Sequence, residues 1–239
     1  MQRFKLLGFV FLGLILFSCQ SSSPVDRIQK QMESYPEYSI ILEDMKEEGN
    51  FFTDYFHQYK LVYGEAETGG DSLIYRTEKT DWYRVSKKEF QNKYNFLGMA
   101  LVSKSADGNV NDSPSPPGYQ YVGNQRYGQW RNDSNGNSFW EFYGKFAFFS
   151  YMFGGLTRPV YRGDWNNYRQ YRTDRRPYYG SNKQYGTQGS HTKQTKKSFF
   201  DRQKARDASR KSRFSNKFNN RSQRSKSSSM RSRSGGFGK

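Results

Sequence analysis

Residues 38–63, YSIILEDMKEEGNFFTDYFHQYKLVY, decide the predicted fold. Tyr38 to Met45 and Asp54 to Tyr63 are rich in Ile, Tyr and Phe, and the polar stretch 48–50 (Glu-Gly-Asn) separates them. Aromatic and β-branched residues favour strands, whereas glycine and asparagine favour turns. The stretch therefore predicts two strands with a break between them.

The residues around these strands predict both helices and further strands. Residues 24–34 favour a helix, because Pro24 suits a first turn and apolar residues recur on one face. Residues 72–77 and 97–103 predict two more strands. Ser86-Lys87-Lys88-Glu89 between them is a capping box that opens a second helix. The expected fold is a small, aromatic-rich α+β domain of antiparallel strands with two or three helices.

Residues 119–140 alternate large aromatic side chains with glycine and asparagine. Such a run predicts tight turns whose rings pack back over the backbone. The alternative is a stacking surface for a sugar or a base, formed by Tyr121, Tyr127, Trp130 and Trp140.

Residues 138–153, SFWEFYGKFAFFSYMF, allow three interpretations. A helix would place a broad aromatic face toward the core, with Glu141 and Lys145 paired on the opposite side. The same helix would also suit a membrane interface, and a buried strand is the third option. We expect the buried helix.

Charge divides the chain at Thr157. Residues 1–157 hold 16 Lys+Arg and 18 Asp+Glu, a net charge of −2, whereas residues 158–239 hold 23 and 4, a net charge of +19. Val160 is the last Leu, Ile or Val of the chain. A segment without these residues buries little aliphatic area, so we expect a Tyr/Arg-rich transition over 158–180 and a disordered basic tail over 181–239.

The basic segment is suited to a dense polyanion, because arginine donates to phosphate in a fork and also stacks on aromatic rings. A solvated tail with no dedicated partner is the alternative. The candidate polyanion-binding residues are Arg158, Arg162, Arg169, Arg172, Arg175, Arg176, Lys196, Lys197, Arg202, Arg210, Lys211, Arg213, Arg231 and Arg233.

Catalytic and metal-binding patterns are sparse. A single cysteine excludes an intramolecular disulfide, and the two histidines argue against most histidine chemistry. Asp133 begins a calcium-like spacing that lacks the glycine and glutamate such a loop needs. His57 has no assignable partner and suits a structural role. We predict no metal, no cofactor, no catalytic residue and a non-enzymatic protein.

The N-terminus carries the most specific signal. Arg3 and Lys5 precede an apolar run of twelve residues over 6–17, which is the length of an export signal and too short for a membrane span. The run ends in Leu16-Phe17-Ser18-Cys19, which resembles the lipobox of bacterial lipoproteins.

This resemblance implies that Cys19 is lipidated, that cleavage follows Ser18, and that the new amino group is acylated, typically with palmitate. The residue after Cys19 is not aspartate, which resembles the class sorted to the outer membrane, facing the periplasm or the surface. The mature domain likewise resembles bacterial lipoproteins to which no activity is attached. An ordinary secretory signal or an uncleaved anchor are the alternatives.

The predicted organisation has five parts. They are a signal peptide (1–18), a lipidated cysteine and spacer (19–23), the aromatic-rich domain (24–157), the transition (158–180) and the tail (181–239). The expected function is a membrane-anchored, non-enzymatic envelope lipoprotein whose tail binds anionic lipids, envelope polymers or a partner protein.

Two alternatives stay open. The first is an envelope enzyme acting on a wall or sugar substrate, with Glu141 and Asp133 as acid/base candidates. The second is a nucleic-acid-binding protein, which would require that the N-terminal stretch is not an export signal. Nucleic acid is an improbable partner for an exported chain.

Overall fold

The two strands predicted from residues 38–63 form the centre of the larger of two sheets. Strand β1 spans Glu37–Glu48 and strand β2 spans Asp54–Ala66. They pair antiparallel, and their register shifts between Leu42 and Asp44. The structure is a computed structural model that describes residues 23–49, 52–67, 73–153 and 159–230.

Four shorter strands complete this sheet. They are β3 (Leu73–Lys79), β4 (Tyr83–Val85), β5 (Ala100–Lys104) and β6 (Val110–Asn111). The strand order is β3-β2-β1-β5-β6, β4 also pairs with β2, and every pairing is antiparallel. The predicted α+β class with antiparallel strands is therefore confirmed.

Both predicted N-terminal helices are present, and each begins at a serine cap. Helix α1 spans Pro24–Met32, and Ser23 and Asp26 form a reciprocal capping box before it. Helix α2 spans Lys87–Lys93, and the Ser86 hydroxyl accepts a hydrogen bond from the backbone amide of Glu89. Ser23 therefore belongs to a helix cap rather than to the spacer predicted over 19–23. Residues 1–22 lie outside the described residues.

Side chains alternate across the larger sheet, so each face has its own core. Ile40 and Leu42 lie in a cluster with α1, α2 and the later residue Phe199. Ile41 points to the other face and lies in a cluster with Tyr121 and Phe149. Helices thus cover one face, and the aromatic stretch after residue 118 covers the other.

The prediction of a helix over residues 138–153 is wrong. Strands β7 (Gly128–Asn132), β8 (Ser138–Phe142) and β9 (Val160–Tyr161) form a second antiparallel sheet in that order. Trp140 lies opposite both Trp130 and Val160 in this sheet, so cross-strand pairing prevails over helical spacing. Only Phe149–Met152 forms a short α-helix, α3, and Phe149 is fully buried.

Within the described residues, part of the C-terminal third packs against the domain. Three helices follow β9: α4 (Arg162–Thr173), α5 (Ser190–Thr195) and α6 (Lys197–Met230). Tyr168, Tyr178 and Phe199 are buried. Aromatic rings supply the buried apolar area in this part of the chain, since each ring buries roughly 150–250 Å². Residues 231–239 lie outside the described residues.

Candidate functional site

An acidic patch on β1 holds the first half of the basic helix α6. The carboxylates of Glu43, Asp44 and Glu47, here called the acidic anchor, are each about 13–15% exposed. Lys196 Nζ lies 2.6 Å from Glu43 Oε2, and Arg202 Nη2 lies 2.5 Å from Asp44 Oδ1. The patch therefore neutralises cations that the sequence assigned to a tail.

Glu47 is paired twice, by arginines one helical turn apart. Arg206 Nε lies 3.1 Å and Arg210 Nη2 lies 3.2 Å from Glu47 Oε2. Arg206 also donates to the Glu47 carbonyl at 3.1 Å and to Thr53 Oγ1 at 3.3 Å. Because its side chain is only 20% exposed, Arg206 acts as a structural clamp between α6 and the β1–β2 connection.

Glu43 shows the electrostatic effect of this pairing. Burial acts to raise the pKa of its carboxyl, but the charge and hydrogen bond of Lys196, together with those of Lys79, outweigh burial and lower that pKa. The carboxylate is thus ionised in the folded protein, and its charge holds the residue that links α5 to α6.

A buried phenylalanine fixes the start of α6. Phe199 is 1% exposed and lies in the main core, with its ring centroid 6.3 Å from that of Tyr94. The neighbouring Phe200 packs against the same core at 5.1 Å from Phe199. The anchor therefore combines apolar burial with ion pairs.

The second half of α6 has a different environment. We call Lys197–Arg210 the proximal half and Lys211–Met230 the distal half. The proximal half holds five Lys+Arg and two Asp, whereas the distal half holds six Lys+Arg and no acidic residue. Every distal residue from 211 to 222 is exposed, including Phe214 at 73% and Phe218 at 66%.

The structure separates the predicted polyanion-binding residues into groups. Lys196, Arg202 and Arg210 form ion pairs with the acidic anchor. Lys197 lies exposed at the start of α6, and Lys211 and Arg213 lie on the exposed distal half. Arg158, Arg231 and Arg233 fall outside the described residues.

The predicted residues on and just after α4 lie against aromatic rings or line a surface cavity. The guanidinium of Arg162 lies 4.5 Å from the Trp130 ring centroid, and that of Arg169 lies 4.8 Å from Trp165. Arg176 covers Tyr171 at 4.7 Å. Arg172 and Arg175 line a surface cavity together with Asp26 and Asp112. Stacking holds Arg162, Arg169 and Arg176 in place while leaving much of their surface exposed.

The rings proposed as a stacking surface are largely internal. Tyr121, Tyr127 and Trp140 are at most 4% exposed, and Trp130 is half-buried under Arg162. Tyr127 donates a hydrogen bond to the buried Glu37. This burial contradicts the stacking surface and fits the packed aromatic corner.

The acid/base candidates do not form a pair in a cleft. The Asp133 carboxylate accepts hydrogen bonds from the backbone amides of Asn135 and Asn137, both at 2.9 Å, which defines a polar turn. Glu141 lies exposed on β8, 3.2 Å from Arg131. His57 is fully buried, its Nδ1 lies 3.2 Å from the Tyr59 hydroxyl, and burial lowers its pKa to about 4.

One polar cavity had no counterpart in the sequence analysis. It has a volume of about 270 Å³ and lies between β9, α4 and the segment before α5. Asp164 lines it and accepts hydrogen bonds from the hydroxyls of Tyr119 and Tyr178, whose pKa values burial and Asp164 raise. Asn182 and Gln184 add amide groups to the wall.

Comparison with protein-family models, with curated proteins and with solved structures finds no match for this chain. None of the helices within the described ranges has the length and apolar character needed to cross a membrane. The same ranges contain no group of three or more histidine, cysteine or acidic side chains placed to hold a metal ion.

Proposed function

We propose that the protein is a lipid-anchored, non-enzymatic protein of the bacterial envelope, and that the distal half of α6 binds an anionic envelope surface. The lipobox-like Leu16-Phe17-Ser18-Cys19 supports the anchor, with Cys19 as the lipidated residue. The residue that follows Cys19 favours the outer membrane.

The division of charge along α6 carries the proposal. The acidic anchor pairs with three arginines of the proximal half, whereas the sequence of the distal half contains six lysines and arginines and no acidic residue. A fold that only needed to attach α6 would gain nothing from the distal cations. A cationic helix projecting from a folded body instead suits recognition of a dense anionic surface.

The binding test uses the full mature chain without its acyl groups, so that the lipid anchor does not mask the contribution of the three distal cations. Lys211→Gln, Lys217→Gln and Arg221→Gln together should weaken sedimentation with phosphatidylglycerol vesicles by about 100-fold, because each cation near an anionic surface contributes about 1 kcal/mol. Binding of the parent chain should also fall with added salt.

A matched variant controls for net charge. Lys30, Lys87 and Lys88 are exposed on the body, and their replacement by glutamine removes the same three charges. This variant should bind within about threefold of the parent chain. Equal loss in both variants would show that net charge alone governs binding and would contradict a distal site.

The anchor requires its own test. The mass of the mature N-terminus should correspond to a chain that begins at an acylated Cys19, and Cys19→Ala should lose the modification and leave the membrane fraction. An unmodified chain that retains Met1 in the cytoplasm would contradict the proposal. Nucleic acid would then become the leading partner of the distal half.

The cavity beside Asp164 favours a second candidate function, in which the protein binds a wall sugar or acts on it as an envelope enzyme. Aromatic, amide and carboxylate groups line it, and these groups recognise sugars. N-acetylglucosamine oligomers should then raise the melting temperature of the protein in a saturable manner, and Asp164→Asn should abolish that shift. No shift at millimolar ligand would remove this candidate.

A further inference from the structure

We propose that the distal half of α6 binds the bilayer surface itself, and that Phe214 and Phe218 insert between the lipid head groups. This inference rests on the proposed function and names the anionic surface. The two rings are 73% and 66% exposed, although large apolar side chains are normally buried. They lie four residues apart, so they share one face of the helix.

The nearest cations lie on the same face as the rings. At about 100° per residue, Lys211, Lys217 and Arg221 fall within about 60° of Phe214 around the helix axis. Asn216 and Asn219 fall on the opposite side of the helix. The two rings and these three cations therefore form one aromatic–basic surface rather than two separate ones.

This combination favours a lipid surface over a soluble polymer. A polyanionic chain is bound by cations alone, and exposed phenylalanines add a solvation cost without a partner. At a bilayer interface, the rings enter the boundary between head groups and acyl chains while lysine and arginine reach the phosphates. Both features of the distal surface are then used.

Self-association of this surface is disfavoured by its charge. A second copy would bring Lys211, Lys217 and Arg221 of each chain close to one another, and like charges at an interface repel. An anionic bilayer is complementary to the same surface.

The lengths of the N-terminal tether and of α6 are compatible with contact between the distal half and the membrane. Helix α1 begins at Pro24, so residues 20–23 alone separate it from Cys19. Five residue steps span at most about 18 Å, so an acylated Cys19 would hold the body against the bilayer. Helix α6 is 34 residues long, about 51 Å, and its distal half begins where the acidic anchor ends. A basic surface that contacts the bilayer adds to the membrane affinity that the lipid anchor supplies.

The test compares two probes on the full mature chain lacking the acyl groups. The probes are vesicles of phosphatidylglycerol and phosphatidylcholine, and long-chain inorganic polyphosphate. The variant Phe214→Ser with Phe218→Ser should weaken vesicle binding at least about tenfold, and polyphosphate binding should stay within about twofold of the parent chain. Phe52, which is 89% exposed on the body, provides the matched control: Phe52→Ser should change neither.

A direct measurement of insertion completes the test. Phe218→Trp should become quenched by brominated lipid, beyond any quenching of the native tryptophans in the parent chain. Single-stranded DNA is tested in parallel, since bases also stack on exposed rings.

The possible results distinguish failure of this inference from failure of the proposed function. Vesicle binding that survives removal of both rings would overturn the inference and leave the proposed function intact. Loss of both vesicle and polyphosphate binding in the ring variant, or quenching by DNA and not by lipid, would also overturn it. A parent chain that binds neither probe would overturn the proposed function, and the inference with it.

Discussion

The proximal half of α6 pairs its arginines with carboxylates of β1, whereas the distal cations between Lys211 and Arg221 are exposed. Both halves are rich in basic residues, and both contain a pair of phenylalanines. Phe199 and Phe200 pack into the core, but Phe214 and Phe218 face solvent. Composition is therefore a poor guide to the role of either half, and the position of each residue relative to the body decides it.

The largest expected effect is a difference in unfolding free energy between alanine variants of two phenylalanines in the same helix. Phe199→Ala removes a side chain that is 1% exposed, so it should lower the free energy of unfolding by about 3–5 kcal/mol. Phe214→Ala should change it by less than about 0.5 kcal/mol. Urea unfolding followed by tyrosine and tryptophan fluorescence measures both. A similar loss for the two variants would show that the distal half is also packed on the body.

The second effect compares arginine with lysine across the two halves. Arg206→Met should cost about 1–3 kcal/mol, because it breaks a partly buried ion pair and leaves the Glu47 and Thr53 acceptors less satisfied. Lys217→Met should be neutral within about 0.5 kcal/mol. The same unfolding assay tests this pair. An unchanged free energy of unfolding in Arg206→Met would show that Arg206 does not stabilise the docking of α6.

The sequence predicted what depends on local pattern. Strands β1 and β2 follow from their aromatic and aliphatic content, and α1 and α2 follow from apolar spacing and serine caps. The helix predicted over 138–153 is wrong because strand pairing prevails over helical spacing. Trp140 pairs with residues of two neighbouring strands.

The anchor could not be predicted because its partners are distant in the chain. Arg206 and Glu47 are 159 residues apart, and no local pattern links them. Two signals pointed toward it: the opposite net charges of the two parts of the chain, and the Phe199-Phe200 pair inside an otherwise polar segment. The number of Leu, Ile and Val residues does not reveal the apolar area buried by this part of the chain, because tyrosines such as Tyr168 and Tyr178 supply it.

The third effect is a pH dependence specific to the anchor. The pKa of Glu43 is lowered in the fold by Lys196 and Lys79, which outweigh burial, so its contribution is present above about pH 4.5 and is lost as pH falls through the lowered pKa. Lys60 also faces this carboxylate. We expect unfolding free energies at pH 7 and pH 3.5 to differ less in Glu43→Gln than in the parent chain.

His57 also makes the free energy of unfolding depend on pH in this range, and its effect must be separated from that of Glu43. Burial lowers its pKa from 6.5 to about 4, so the stability that it contributes above pH 6.5 is lost as pH falls toward 4. Because Glu43→Gln leaves this contribution unchanged, the difference between the two proteins isolates the anchor. Identical pH profiles would mean that Glu43 adds nothing to the docking of α6.

The smallest effect on stability is expected from the distal cations. Lys211→Gln, Lys217→Gln and Arg221→Gln together should leave the free energy of unfolding within about 0.5 kcal/mol of the parent value, although the same variant should lose vesicle binding. A thermal or urea unfolding curve tests this dissociation of binding from stability. A marked destabilisation would indicate that these cations are part of the fold.

Hydrogen exchange along α6 tests the division of the helix most directly. The distal half contains seven serines and three asparagines among its 20 residues, all weak helix formers, and helices without tertiary packing are marginal in water. In the full mature chain, amides between Phe199 and Arg210 should exchange as slowly as those of β1. Amides after Lys211 should exchange at least about 100-fold faster and become protected on adding anionic vesicles. Uniform slow exchange across the helix, or no added protection with vesicles, would contradict the account.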